Sequence, residues 1–223
     1  MQSQEAGNTG DPATLRAALK HVYWIGGGSG AGKSTIARRI ATQHGLYVYS
    51  TDVVMPDHAG RMLPKEAPYL ASFKNMDMDE RWVNRSPVTM FETFHWFRGE
   101  GFGLIVEDLL RLPTDTHVIV EGFRLLPHLV KPLLAKPSHA IWLLPTPEFR
   151  LAAVDSRRTG WEFLDKTTDP ERARRNVLER DRMFTDHLAE ETQRLELPII
   201  QVDMAMTEDD LTQRVMEGFE LSH

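Results

Sequence analysis

The sequence predicts an α/β fold in which a five-stranded parallel sheet is covered on both faces by helices. Three observations carry that expectation. Short apolar runs at 22–26, 46–50, 117–120, 140–144 and 198–202 alternate with helical patterns. Val118-Ile119-Val120 is the near-continuous apolar run of a strand buried on both faces. The stretch Gly27-Gly28-Ser29-Gly30-Ala31-Gly32-Lys33-Ser34-Thr35 satisfies G-x-x-x-x-G-K-[ST], and it lies between Val22-Tyr23-Trp24-Ile25 and the helical pattern Ile36–Ala41. Strand, glycine-rich loop and helix are the context that a phosphate-binding loop requires.

The residue types of that stretch suit anion binding. Glycines let the backbone curl round an anion, and the helix that follows adds unpaired N–H groups and the positive end of its dipole. Gly28, Ser29, Gly30, Ala31, Gly32, Lys33, Ser34 and Thr35 are the expected nucleotide contacts. Lys33 is expected to reach the β- and γ-phosphates of ATP, and Ser34 to place its hydroxyl on Mg²⁺.

Composition narrows the class. The 223 residues fit one domain at 12–223 after a polar tail, 1–11, that reads as disordered. With 41% hydrophobic and 26% charged residues the chain is globular. The absence of Cys excludes disulfides and thiolate metal sites and is compatible with the cytoplasm. No apolar stretch reaches membrane-spanning length, and the polar start does not read as a signal segment. A net charge of −6 argues against general nucleic-acid affinity. The expected state is a monomer or homodimer acting on a small molecule.

In chain order, Asp11-Pro12 starts a short helix, with Leu15, Ala18 and Leu19 apolar. The helix 33–44 ends at Gly45, a capping residue. Strand two, 46–50, places Asp52 just outside its carboxyl end, where ligands gather in open α/β sheets. Asp52 is a candidate for the catalytic and metal site, the alternative being a helix cap. Residues 53–112 form a long insertion and are expected to bind the acceptor. Within it, 53–85 shows weak periodicity, Ser86-Pro87 opens a helix from Val88 to Arg98, and a second runs from Phe102 to Arg111. Phe91, Phe94 and Leu109 read as core, whereas Arg81, Arg85, Arg98 and Glu100 are either pocket groups or solvated charges. Strand three ends at Glu121, which can hold a Mg²⁺-bound water or a substrate hydroxyl. A short helix, Pro127 to Leu134, leads to strand four, and Thr146-Pro147-Glu148 opens the next helix.

Eight arginines crowd 150–182: Arg150, Arg157, Arg158, Arg172, Arg174, Arg175, Arg180 and Arg182. Pairing with Glu171, Glu179 and Asp181 accounts for part of this excess. Arg157, Arg158, Arg180 and Arg182 are the candidates for phosphate contact, with Arg157 and Arg180 as catalytic lid residues and Arg158 on the nucleotide. A long helix runs from Asp169-Pro170 to about Leu195. Strand five ends at Asp203, a candidate nucleotide contact, and Thr207 caps the last helix.

This order of features resembles the P-loop small-molecule kinases of the nucleoside-monophosphate-kinase-like group, among them shikimate, gluconate and uridine kinases, zeta-type toxins and chloramphenicol phosphotransferase. The resemblance covers about residues 20–220. It implies a three-layer P-loop NTPase sandwich with strand order 2-3-1-4-5, a helical substrate insertion and an Arg-rich lid. It implies that Asp52 activates the acceptor, as in chloramphenicol phosphotransferase and zeta-type toxins. It also implies that the loop after Leu197–Asp203 packs on adenine. Two features depart from the pattern: strand three ends in Glu rather than an Asp pair, and 53–112 matches no substrate-binding pattern.

The expected function is ATP-dependent transfer of the γ-phosphate to a small-molecule hydroxyl. One alternative is a nucleoside monophosphate acceptor, which would need some of Arg61, Arg81, Arg85 and Arg98 to converge. Another is a nucleotide-driven switch or ATPase acting on a partner. Asn-Lys-x-Asp is missing from the chain, which disfavours a Ras-type GTPase.

Overall fold

The computed structural model describes residues 11–156 and 162–221. The expected tail therefore lies outside the described residues except for Asp11, which precedes the first helix. Five strands, β1 (Val22–Gly27), β2 (Tyr47–Ser50), β3 (Val118–Glu121), β4 (Ala140–Pro145) and β5 (Ile199–Val202), pair in parallel in the order β2-β3-β1-β4-β5. The expected sheet and its order are present.

The period of two along the strands sorts the core into two layers. Val22, Trp24, Val118, Val120, Ala140, Trp142 and Leu144 face one way. They pack on Ile105 and Leu109 of α6 (Phe102–Leu110), on Val130 of α7 (Pro127–Val130), and on Phe184 and Leu188 of α9 (Pro170–Arg194). Leu19, just after α1 (Pro12–Ala18), joins them. Ile25, Ile119, Ile141, Leu143 and Val202 face the other way, onto Ile36 and Ile40 of α2 (Lys33–His44) and Leu211 and Val215 of α10 (Glu208–Gly218). Burying each such side chain contributes about 1.5–3 kcal/mol. The result is a sheet between two helical layers.

The insertion is more helical than its sequence suggests. It contains α3 (Met55–Arg61), α4 (Pro68–Asn75), a π-helical turn at Glu80–Asn84, and α5 (Pro87–Thr93). All three α-helices carry Pro in their first two positions. There Pro starts a helix rather than breaking one, because the N–H it lacks has no intrahelical partner at that place. The expected helix from Val88 to Arg98 stops at Thr93. Phe94 turns extended, so Phe94, Trp96 and Phe97 enter a third apolar cluster instead of spiralling round a helix. The segment expected as one helix after Pro127 is α7 followed by a 3-10 turn at Lys131–Leu133. The described part of α8 is Pro147–Ser156.

The third cluster joins the insertion to α9. Trp82, Met90 and Phe94 pack with Ala173 and Val177, and Phe97 stacks on Phe184 with ring centres 3.8 Å apart. The carboxyl ends of β1, β2 and β3 open beneath it.

At the end of β3, Gly122 has φ +148°, and a Cβ there would lie 1.7 Å from Thr51 Oγ1. Gly122→Ala is expected to lower the unfolding free energy by about 2–4 kcal/mol, read as a reduced denaturant midpoint at unchanged slope. A loss under about 1 kcal/mol would mean that the strand end relaxes freely.

Candidate active site

The glycine-rich loop leaves β1 and enters α2. Gly27 has φ +131° and closes on β4, where a Cβ would stand 2.1 Å from the Leu143 carbonyl. Gly30 and Gly32 both have φ +82°, a region open to glycine. The loop is tied down by Gly28 N–H, which donates to Leu143 O at 3.1 Å. Lys33 Nζ reaches back across the loop and donates to Gly28 O at 2.8 Å. Helices α9 and α10 have side-chain caps from Asp169 and Thr207, but Gly32 gives α2 no such cap. The first turn of α2 therefore presents its N–H groups to a cavity of about 200 Å³ bounded by Ser29–Ser34, Asp52 and Phe123.

Two carboxylates face Ser34 and Lys33. Glu121, only 1% exposed, accepts from Ser34 Oγ at 3.0 Å and from Ser50 Oγ. Asp52 is open to the cleft, and Thr51 Oγ1 lies 3.4 Å from its carboxylate. The protein around its carboxyl still displaces water, and that desolvation raises its pKa above the ordinary carboxylate value. Lys33 pulls in the opposite direction, and Glu121 adds to the rise. Ser34, Glu121 and Asp52 make a set of hard oxygen donors, of the kind Mg²⁺ takes together with phosphate oxygens.

Two larger cavities open from this one. On one side, about 420 Å³ lies between Gly30–Gly32, Thr35, Phe149, Met204, Met206 and Leu211. On the other, about 430 Å³ lies between Ser29, Gly30 and Phe123 and a wall of aromatic side chains that includes Phe73, Trp82, Phe94 and Trp96. Gly30 borders all three cavities.

The expected loop residues Gly28 to Thr35 thus come together with Asp52 and Glu121. Others go elsewhere. Arg157 and Arg158 lie outside the described residues. Asp203 is exposed, and its Oδ1 accepts from the N–H groups of Ala205 and Met206 at 2.9 and 3.1 Å. It shapes the loop that carries Met204 and Met206 and does not itself line the cavity. Arg182 is spent at the surface on Glu179 and Asp186, both at 2.6 Å. Arg180 is buried in the aromatic wall, paired with Asp181 at 2.7 Å and centred 4.6 Å from the Phe94 ring. Residues two apart on a helix lie about 200° apart, so Arg180 and Arg182 cannot face one cavity. Of the insertion arginines, Arg61 pairs with Glu107 at 2.9 Å and Arg81 donates to Phe73 O at 3.0 Å. Arg85 donates to Thr93 Oγ1 at 2.9 Å, and Arg98 stands 5.8 Å from the Tyr69 ring. Glu100 caps α4 by accepting from the N–H groups of Tyr69 and Leu70.

Sequence reading missed the support behind Asp52. Arg124, 2% exposed, donates to Thr51 O at 3.3 Å, to Gly101 O at 3.2 Å and to His58 Nδ1 at 3.0 Å, with the Trp96 ring 4.1 Å away. A guanidinium can only donate, so His58 Nδ1 accepts and Nε2–H donates to Asp108 at 2.9 Å. Burial lowers the Arg124 pKa to about 10, which keeps it charged at neutral pH. Its place just past β3 was the available signal. His58, in the middle of a short helix, gave none.

His95, 3% exposed, is held near pKa 3, down from 6.5, first by burial and then by Arg124 and Arg180. The folded protein thus keeps it neutral while the unfolded chain takes a proton below 6.5. The stability this confers is present above about pH 6.5 and is lost as the pH falls towards 3. Between about pH 7 and about pH 4 the unfolding free energy is expected to fall by on the order of 2 kcal/mol more in the native protein than in His95→Gln. Equal pH slopes in the two proteins would remove His95 from this role.

No protein-family model matches the chain, and no curated protein matches it. Among solved structures, it is similar to an uncharacterized protein from Eubacterium ventriosum ATCC 27560, at 14% identity over 91% of this chain and 99% of the other, with a TM-score of 0.43. Among the described residues no helix is long and apolar enough to cross a membrane.

Proposed function

We propose that this protein is a P-loop phosphotransferase that moves the γ-phosphate of ATP to a hydroxyl of a small molecule. One observation carries the reading: the glycine-rich loop lies between two cavities, and a carboxylate with raised pKa lines the small cavity at that loop. A hydrolase or switch needs the loop and a base pocket but has no use for a second, aromatic-walled cavity beside the phosphates.

The cavity beside Thr35 takes the base between apolar groups such as Phe149 and Met206. The loop amides and Lys33 hold the β- and γ-phosphates. Ser34, with Glu121 and Asp52 behind it, would hold a magnesium ion, which would supply charge neutralisation on the phosphate oxygens. Asp52 accepts the proton of the acceptor hydroxyl as its oxygen bonds to the γ-phosphorus and the bond to the β-phosphate oxygen breaks, releasing ADP. Aromatic walls exclude water, which would otherwise compete as acceptor. A nucleoside monophosphate acceptor is less well supported, because Arg61, Arg81, Arg85 and Arg98 are engaged away from the cavity.

Lys33→Ala is expected to abolish acceptor-dependent ADP release with the circular dichroism spectrum retained; normal turnover in that variant would refute the phosphate-loop assignment. Asp52→Asn is expected to cut kcat by roughly 10²-fold or more, and an unchanged kcat would make Asp52 structural. A base must be deprotonated to act, and the Asp52 pKa is raised. The acid limb of kcat/KM should therefore fall at a pH above the ordinary carboxylate range, and it should vanish in Asp52→Asn.

A further inference from the structure

The aromatic cavity contains two guanidinium groups and one carboxylate. Arg150 and Arg180 are each 7% exposed, and Asp181 is 4% exposed. All three line the cavity. Asp181 accepts from Arg180 Nε and Nη2 through the same oxygen, at 2.9 and 2.7 Å, and it is also the leading favourable charge acting on Arg150. Two cations therefore stand with one anion in the lining of the cavity.

The hydrogen bonding is incomplete in the same place. Arg150 Nε, Arg180 Nη1 and His95 Nδ1 are buried with no hydrogen-bond partner. A buried polar atom left unpaired costs about 1–3 kcal/mol, so the fold holds this group of side chains beside the cavity at a cost in stability. Trp82, Phe94 and Phe97 surround the Arg180 guanidinium at 5.4, 4.6 and 5.3 Å, so the cation is set in an aromatic wall that suits a flat apolar ligand.

We propose that the acceptor is a hydroxylated molecule with an aromatic or similarly flat apolar body and a single carboxylate, which is read by Arg150 and Arg180. The proposal rests on the phosphotransferase reading and names the substrate class of that site. Among the residues that line the cavity, two guanidiniums less Asp181 leave one positive charge for a ligand to meet, while Asp186 and Glu179 act favourably on Arg150, and Arg182 against it, from outside the lining. A carboxylate is planar and matches the fork of a guanidinium. The volume of about 430 Å³ is within the range of small-molecule sites and accommodates a body of two rings.

The test uses four probes of one shape: a hydroxybiphenyl carboxylate, its methyl ester, the corresponding phosphonate and the corresponding aminomethyl compound. Binding to the full chain is measured by calorimetry, with ATP binding measured separately on the same samples. The carboxylate is expected to bind at least tenfold more tightly than the ester and the amine, and more tightly than the phosphonate. In Arg150→Gln and in Arg180→Lys the preference for carboxylate over ester should fall to within about threefold, with ATP affinity unchanged. Arg150→Gln keeps the test open should the Arg180 variant fail to fold. Equal binding of acid and ester, tighter binding of the amine or the phosphonate, or no probe binding while ATP binds would overturn the proposal and leave the nucleotide reading standing. Loss of ATP affinity in the two variants, with the probe preference intact, would assign the arginines to the transferred phosphate and likewise overturn it. Failure of ATP to bind the native chain would instead overturn the phosphotransferase reading.

Discussion

The buried carboxylate of Glu121 ties together the parts on which the site depends. It accepts from Ser34, at the start of α2, and from Ser50, at the end of β2. Sheet register sets this up, because Ile25 of β1 and Ser50 of β2 both stand opposite Glu121. The phosphate loop follows Ile25 and Asp52 follows Ser50, so one side chain fixes how far the loop stands from the carboxylate proposed as base. A slip of one residue in either pairing would turn Glu121 to the other face of the sheet. Removing either hydroxyl would leave part of a buried carboxylate unsatisfied, at a cost of about 1–3 kcal/mol.

Arg124 does for the insertion what Glu121 does for the strands. Its guanidinium holds the carbonyl of Thr51, next to Asp52, and the carbonyl of Gly101, where α6 begins. His58 carries the contact on to Asp108, which also accepts from the Tyr49 hydroxyl at 2.7 Å. The cation and the anion are therefore linked through a neutral ring rather than in direct contact. Arg124 is buried, whereas Asp108 is partly exposed and also pairs with Arg61 and Arg111, so the ring carries the contact from the interior to the surface. The insertion and the strand end are consequently placed by the same group, and movement of α3 or α6 would be felt at Asp52.

The glycine-rich loop of the proposed site was legible in the sequence and the aromatic cavity was not, for a physical reason. A phosphate loop works through backbone geometry, which demands glycine at fixed spacing, and the sheet works through period-two burial. Both leave marks in one dimension. The parallel strands, the long helix from Pro170 and the Thr207 cap followed from such marks, whereas the strand order was implied by the resemblance. The insertion is built from helices of seven or eight residues. They are too short to show a period, and their prolines read as breaks. Arg182 was preferred and Arg150 passed over because a count of arginines carries no direction, whereas a helix gives each residue one. Arg124 and His58 depend on contacts 66 residues apart in the chain, which no local pattern records.

The guanidiniums in the lining of the aromatic cavity bear on how such a site can discriminate. Apolar walls alone distinguish ligands by area, and a missing ring carbon changes affinity little. Donors that already stand desolvated behave differently. A ligand that brings an acceptor to a buried guanidinium is favoured over one of the same shape without it, which leaves the charged group unpaired. The aromatic faces that surround Arg180 keep it dry, so water cannot easily take the acceptor's part. The same dryness that would protect a γ-phosphate from hydrolysis therefore sharpens the choice of acceptor, and both follow from packing the insertion helices against α9.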